Sequence, residues 1–167
     1  LAIHLYREKL ARDMHKKGTL QYTAFPLVNW EAMARALAHR SPSFCAWVTK
    51  HVTGQCGVGS RMLEWNFWDT DACPCCNQAH ETTAHFPFCE HLDMLSNYKK
   101  MVDDFSEWLE AADTDPCIAW FLTSALRQRC FRQDYNEILP EEMLQAVADQ
   151  QHIGWHNILC GRLSIRW

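Results

Sequence analysis

A group of Cys and His residues between positions 73 and 89 has the spacing of a tetrahedral metal site. Two residues separate Cys73 from Cys76, and Pro74 helps set a tight turn from which both sulfurs could bind one ion. Eight residues separate Cys76 from His85, and three separate His85 from Cys89. The last two ligands would then lie on one side of a helical turn. The pattern C-x2-C-x8-H-x3-C predicts one structural Zn²⁺ in a closed site of four ligands.

Neighbouring residues leave alternatives open. Cys75 could replace either adjacent cysteine, His80 could replace His85, and His91 could replace Cys89. The run from His80 to His85 is one residue too long for the metalloprotease motif H-E-x-x-H, and residues five apart do not share a helix face. Three thiolates and one imidazole also leave no position for a reactive water, so we expect structural and not catalytic zinc.

The cysteine content fits a metal site better than disulfides. The chain has nine cysteines, an odd number, and its first residues lack the continuous apolar core of a secretory signal. No apolar run approaches the roughly 18 residues of a membrane span. We therefore expect an intracellular protein, nuclear or cytoplasmic, with no membrane or small-molecule partner. The chain begins at Leu1 and ends at Trp167 within an apolar stretch, which suggests a fragment of a larger protein.

The segments on either side of this site, which must position it, are predicted to be helices. Apolar residues recur at helical spacing in 2–17, 30–37, 92–112 and 116–126, with shorter helices expected after Pro42, Gly59 and Pro140 and an amphipathic segment over 153–167. Asn29, Ser41 and Asp115 are placed to cap three of these helices. The prediction is a mainly α, bundle-like domain with one zinc-stapled Cys/His loop.

Charge divides the chain into unequal parts. Residues 1–70 hold nine Lys and Arg against five Asp and Glu, whereas residues 71–167 hold seven against fifteen. We distinguish a mildly basic helical segment (1–68), a zinc-binding segment (69–91) and an acidic helical segment (92–167). The candidates for phosphate contact are the basic residues of the first half: Lys16, Lys17, Arg35, Arg40, Lys50 and Arg61. Trp47, Trp65 and Trp68 could stack on bases, although aromatic residues at helical spacing usually belong to a core.

The zinc-binding pattern resembles a segment found downstream of the polymerase in non-LTR retroelement reverse transcriptases. That segment reads roughly CPxC…ETxxHxxxxC, and this chain has Cys73-Pro, Glu81-Thr82 and His85, but a last gap of three residues instead of four. The flanks 47–59 and 153–164 are similar to stretches in retroelement-like reading frames of diatoms and other protists. The resemblance implies a zinc-stabilised accessory domain that binds template or target nucleic acid, within a parent RNA-directed DNA polymerase.

The chain itself shows no catalytic signature. Asp103-Asp104 follows Met101-Val102 in the manner of a polymerase motif, but the surrounding residues continue a helical stripe and indicate a solvated helix face. We therefore expect a non-catalytic module that assists RNA or DNA binding beside the rest of its polyprotein. The rival prediction is a zinc-stabilised protein-interaction or scaffolding domain that binds no nucleic acid.

Overall fold

The computed structural model describes residues 2–78, 80–129 and 141–167. Within these ranges the chain is mostly helical and contains no β-strand, only two isolated antiparallel bridges, Val28 with Ser164 and Ala72 with His80. The predicted mainly α fold is confirmed. No helix in the described ranges is both long enough and apolar enough to cross a bilayer.

Seven α-helices and three 3₁₀ segments are present in the described residues. The α-helices are α1 (Ala2–Lys16), α2 (Trp30–Leu37), α3 (Pro42–Val52), α4 (Gly59–Glu64), α5 (Leu92–Ala111), α6 (Pro116–Arg127) and α7 (Glu141–Ile153). The 3₁₀ segments are Tyr22–Leu27, Phe86–Phe88 and Trp155–Cys160.

Three side-chain caps set the starts of helices as the sequence predicts. Asn29 Oδ1 accepts a hydrogen bond from the Ala32 amide at 3.0 Å, at the start of α2. Ser41 Oγ accepts from the Phe44 amide at 3.3 Å, at the start of α3. Asp115 caps α6 by accepting from the next two free amides, with Pro116 in the first turn. Each cap satisfies amides that would otherwise lack a partner.

The described residues form two compact units. Unit 1 comprises 2–54 with 141–167, and unit 2 comprises 55–129. These limits differ from the three segments suggested by charge and motif, because both ends of the chain belong to one unit. The Asn29 amide donates to the Leu163 carbonyl, and the Ile165 amide donates to the Leu27 carbonyl, each at 2.8 Å.

Unit 1 has an apolar core, which we call the core cluster. It is formed by α1, the 3₁₀ segment after it, and the ends of α3 and α7, through Ala11, Met14, Leu20, Ala24, Phe25, Val28, Val52 and Ile153. The spacing of Ala11 and Met14 on α1 places both on the inner face of the helix, where Leu10 also packs against the cluster.

A buried arginine ties three parts of unit 1 together. Arg162 is only 1% exposed, and its guanidinium donates to the carbonyls of Thr19 and Val52 and to Asn157 Oδ1. Burial lowers the pKa of Arg162, although Cys160 acts in the opposite direction. A guanidinium nevertheless remains protonated in proteins. Arg162 is therefore a buried cation that is held by hydrogen bonds to neutral oxygens.

The amphipathic segment at 153–167 is interrupted at both of its glycines. Gly154 has φ 94° and Gly161 has φ 69°, and the short 3₁₀ segment lies between them. Positive φ values are strained for residues with a Cβ atom, so glycine permits both breaks. The second break turns the chain toward Arg162 and the bridge with Val28.

Unit 2 contains a helical hairpin next to the Cys/His loop. α5 and α6 pack together and bury Val102, Leu109, Phe121, Leu122, Ala125 and Leu126. The Tyr98 hydroxyl donates to the Leu126 carbonyl at 2.9 Å, which ties the two helices where the hairpin opens. Asp103 and Asp104 lie within α5, and Asp103 forms an exposed ion pair with Arg127 at 3.5 Å.

Candidate metal centre

The four predicted ligands converge in unit 2. One ligand atom from each of Cys73, Cys76, His85 and Cys89 lies within 4.8 Å of every other. The sulfurs of Cys73 and Cys89 are 3.8 Å apart, and Cys76 Sγ lies 3.5 Å from His85 Nε2. Residues separated by up to 16 positions therefore present three sulfurs and one nitrogen to a common point.

These distances match the edges of a zinc tetrahedron. Zn–S bonds of about 2.3 Å at the tetrahedral angle place two sulfurs about 3.8 Å apart. A Zn–N bond of about 2.05 Å with a Zn–S bond gives an edge of about 3.5 Å. Both separations agree with these values, and the four residues lie close enough together to coordinate one metal ion.

The first two ligands are held by a tight turn. The Asn77 amide donates to the Cys73 carbonyl at 2.8 Å, and Asn77 has φ 53°. Asparagine tolerates this left-handed conformation better than most residues, so it suits the end of the turn. The bridge between Ala72 and His80 then closes the base of the loop.

The last two ligands flank a turn of 3₁₀ helix. His85 precedes the segment Phe86–Phe88, and its carbonyl accepts from the Phe88 amide at 2.8 Å. Thr82 Oγ1 accepts from the His85 amide at 2.9 Å and so fixes the backbone where the imidazole begins. The turn expected between His85 and Cys89 is present, in its tighter 3₁₀ form.

Glu81 supports the site from outside, and the spacing of ligands gave no signal for it. Its Oε2 accepts from the Gly59 amide at 2.6 Å, at the start of α4, where Val58 offers no side-chain cap. The Glu81 backbone also pairs with the Asp71 carbonyl and the Ser60 amide, at 2.7 and 3.0 Å. Glu81 therefore joins the start of α4 to the residues that precede Cys73.

Close backbone approach at Gly59 is part of this junction. A Cβ atom on Gly59 would lie 2.9 Å from the Asp71 carbonyl oxygen and 3.1 Å from Glu81 Cβ. The first contact is with backbone, which cannot rotate away. Glycine is thus required at position 59 because a Cβ atom would not fit, and not because of its backbone dihedral angles.

Burial and charge both affect the thiols. Cys73 is 3% exposed and Cys89 is 2% exposed. The His91 backbone amide lowers the pKa of Cys89, but burial and the neighbouring Cys73 and Cys76 thiols together raise it above its ordinary value. Because a metal binds the thiolate, metal binding must release these protons.

The three alternative ligands lie outside the cluster. Cys75 is exposed. His80 Nδ1 lies 2.6 Å from Asp71 Oδ2, and the His80 side chain is 78% exposed. His91 caps α5, where its Nδ1 accepts from the Asp93 amide at 3.4 Å.

The six basic candidates for phosphate contact are divided between the units. Arg61 lies on α4 in unit 2 and pairs with Glu64. The other five belong to unit 1 and are exposed: Lys16, Lys17, Arg35, Arg40 and Lys50. Arg35 pairs with Glu31 at 2.9 Å, and the guanidinium of Arg40 lies over the Phe44 ring, 5.9 Å from its centre.

The three tryptophans considered for base stacking are not core residues. Trp47 is 58% exposed, Trp65 43% and Trp68 41%. Helical spacing of aromatic residues usually indicates burial, so this exposure was not evident from the sequence.

The chain matches no protein-family model, and comparison with curated proteins and with solved structures likewise gave no match. The class of site is therefore defined by its own geometry: three cysteines and one histidine that can coordinate one metal ion.

Proposed function

We propose that this chain is a non-catalytic module folded around one structural zinc ion, which assists RNA or DNA binding by a retroelement-type reverse transcriptase polyprotein. The observation that carries the proposal is the convergence of one ligand atom each from Cys73, Cys76, His85 and Cys89, all within 4.8 Å of one another. The Cys-Pro, Glu-Thr and His pattern that contains these ligands is the basis of the resemblance to retroelements.

The donor set supports zinc and a structural role. Three thiolates with one imidazole are soft ligands in a tetrahedral arrangement, which suits zinc. All four positions of the tetrahedron are filled by protein atoms, so a bound ion would have no site for a reactive water. The metal would instead contribute to folding, by linking the turn after Cys73 to the turn before Cys89.

Charge supports nucleic-acid binding by the first part of the chain. Residues 1–70 carry nine Lys and Arg against five Asp and Glu, and five of the candidate phosphate-binding residues are exposed on unit 1. Contacts between such side chains and phosphates release counterions from the nucleic acid.

A scaffolding role is the second candidate, and one observation favours it. Residues 71–167 carry fifteen Asp and Glu against seven Lys and Arg, which would repel a polyanion. In this case zinc would staple the fold and the partner would be another protein.

Salt dependence separates the two candidates. The zinc-loaded chain is titrated into labelled single-stranded RNA, single-stranded DNA and duplex DNA between about 50 and 200 mM salt. Nucleic-acid binding predicts affinity that falls with salt, with a log–log slope of about −2 to −3 on single strands if three to four phosphates are contacted. Binding that is absent at the lowest salt, or insensitive to salt, would contradict the proposal and favour scaffolding.

A further inference from the structure

Unit 1 contains an open groove that the zinc site does not explain. It lies between α2, α3 and the chain after Leu159, and has a volume of about 560 Å³. Its walls are mostly apolar and include Met33, Leu37 and Val48. The groove is far larger than a packing defect and has the size of a ligand site.

A ladder of rings runs along α3 at this groove, and we call it the aromatic ladder: Phe44, Trp47 and His51. The rings of Trp47 and His51 are parallel within 5° with centres 5.5 Å apart, and Phe44 lies 6.1 Å from Trp47. All three residues line the groove, and Phe44 is 45% exposed. Exposed flat rings held in a row by their neighbours form a stacking platform for unpaired bases.

The charged residue that lines the groove is a cation, Arg40. No Asp or Glu lines the groove, and residues 32–54 of unit 1 contain none. The same stretch contains Arg40 and Lys50, together with Arg35, which is paired with Glu31, and the guanidinium of Arg40 lies over the Phe44 ring. Lys50 and His51 form the basic last turn of α3. A polyanion would therefore meet cations and no opposing carboxylate along the groove.

We infer that this groove binds a single-stranded nucleic acid, with bases stacked on the aromatic ladder and phosphates near Arg40 and Lys50. The inference rests on the proposed function and assigns the nucleic-acid contact to a specific surface of unit 1, apart from the zinc loop. A single strand is required because bases within a duplex do not expose their faces to such a platform.

The test uses the zinc-loaded full chain and a fluorescent oligonucleotide of roughly 12 nucleotides, the length that one such binding surface spans. Oligo(U) and oligo(dT) are measured beside a duplex of the same length. Trp47→Ala is expected to weaken single-strand binding about tenfold, since one stacked base is lost. Arg40→Glu is expected to weaken binding and to flatten the salt dependence.

Trp108→Ala is the matched control. Trp108 is 61% exposed and also stacks on a neighbouring ring, Phe105, at 5.9 Å, but it lies in unit 2 on the acidic helix α5. This variant should bind as the unchanged protein does. Zinc content and circular dichroism of every variant show that the fold is retained, and the exposed position of Arg40 keeps the test valid if Trp47→Ala fails to fold.

The outcomes separate the groove from the proposed function. Loss of binding in Trp47→Ala and Arg40→Glu, but not in Trp108→Ala, supports the groove. Unchanged binding in both groove variants overturns the groove while nucleic-acid binding stands. No binding by the unchanged protein overturns both. Direct binding of a labelled acidic amphipathic peptide that is weakened by Trp47→Ala, without any binding of oligonucleotide, would assign the groove to a protein partner and likewise overturn the inference.

Discussion

The core cluster of unit 1 and the Cys/His stretch of unit 2 differ in how much apolar side chain they bury. Unit 1 buries eight apolar residues from three helices and a 3₁₀ segment against one another. In the described residues of 55–91, which we call the metal segment, the buried apolar side chains are only Val58, Cys73 and Cys89. Four aromatic residues of the same segment remain at least 41% exposed: Trp65, Phe67, Trp68 and Phe86.

This difference predicts which part of the chain depends on a metal ion for its folding. A stretch that leaves its large apolar side chains in solvent gains little from hydrophobic burial. Structural zinc sites supply an apparent binding free energy of about 10–16 kcal/mol near neutral pH, which is available for folding. We therefore expect the metal segment to depend on its ion, and unit 1 to depend on its core cluster and on Arg162.

Removal of a buried ligand should produce the largest effect. Cys89→Ser replaces a thiolate that is 2% exposed and should abolish metal binding and order in the metal segment, while the core cluster stays protected. Hydrogen exchange of peptides from each unit measures this directly. Cys75→Ser is the matched control, because Cys75 is exposed and outside the cluster. Equal loss of protection in both units would contradict the comparison.

Acidification should also weaken metal binding and so destabilise the metal segment. The bound thiolates carry no protons, whereas the metal-free thiols do, and burial with neighbouring thiols raises the pKa of Cys89 against the lowering influence of the His91 amide. Metal-dependent stability is therefore present at high pH and lost as pH falls. Competition with a zinc indicator should show affinity that drops about 100- to 1,000-fold from pH 7 to pH 6, because up to three protons return to sulfur. Affinity independent of pH would exclude thiolate ligands.

Substitution of Arg162 should act on unit 1 alone. Arg162→Met leaves the Thr19 and Val52 carbonyls and Asn157 Oδ1 without their buried donor. We expect a loss of about 3 kcal/mol or more from unit 1, with zinc content unchanged. Arg35→Met is the control, since its ion pair with Glu31 is exposed and should be worth less than about 1 kcal/mol. The comparison fails if Arg162→Met releases zinc while unit 1 keeps its stability in denaturant.

Substitution of Glu81, which lies beside the metal site and is not one of the four cluster residues, should give the smallest effect. Glu81→Gln keeps the shape of the side chain but replaces a charged acceptor at the Gly59 amide with a neutral one. We expect a loss of about 1 kcal/mol from the zinc-bound protein, read as a lower midpoint in denaturant. Glu107→Gln is the matched control, because Glu107 is exposed on α5. An unchanged midpoint for Glu81→Gln would show that Glu81 does not support the metal segment.

The sequence predicts local features well because their signals are local. Cap residues act on amides two or three positions away, and the paired spacings of Cys73 with Cys76 and His85 with Cys89 each fit within one turn. The helices, and the four residues that meet in the Cys/His cluster, could therefore be predicted from the sequence.

The remaining features join distant residues. Glu81 reaches Gly59 across 22 positions, and Arg162 reaches Thr19 across 143 positions. No periodicity or short motif encodes such contacts, so neither the junction beside the metal site nor the pairing of both chain ends was predicted. The exposure of the tryptophans was not predicted for a related reason. Helical spacing shows which residues share one face of a helix, but not whether another part of the protein covers that face.

The most direct test of this account is zinc stoichiometry by elemental analysis of protein purified under reducing conditions. The unchanged chain, His85→Ala and His91→Ala are compared, since one histidine belongs to the cluster and the other caps α5. The account predicts one zinc per chain in the unchanged protein and in His91→Ala, and none in His85→Ala. Absence of zinc from the unchanged protein, or its loss in His91→Ala and retention in His85→Ala, would contradict the central claim.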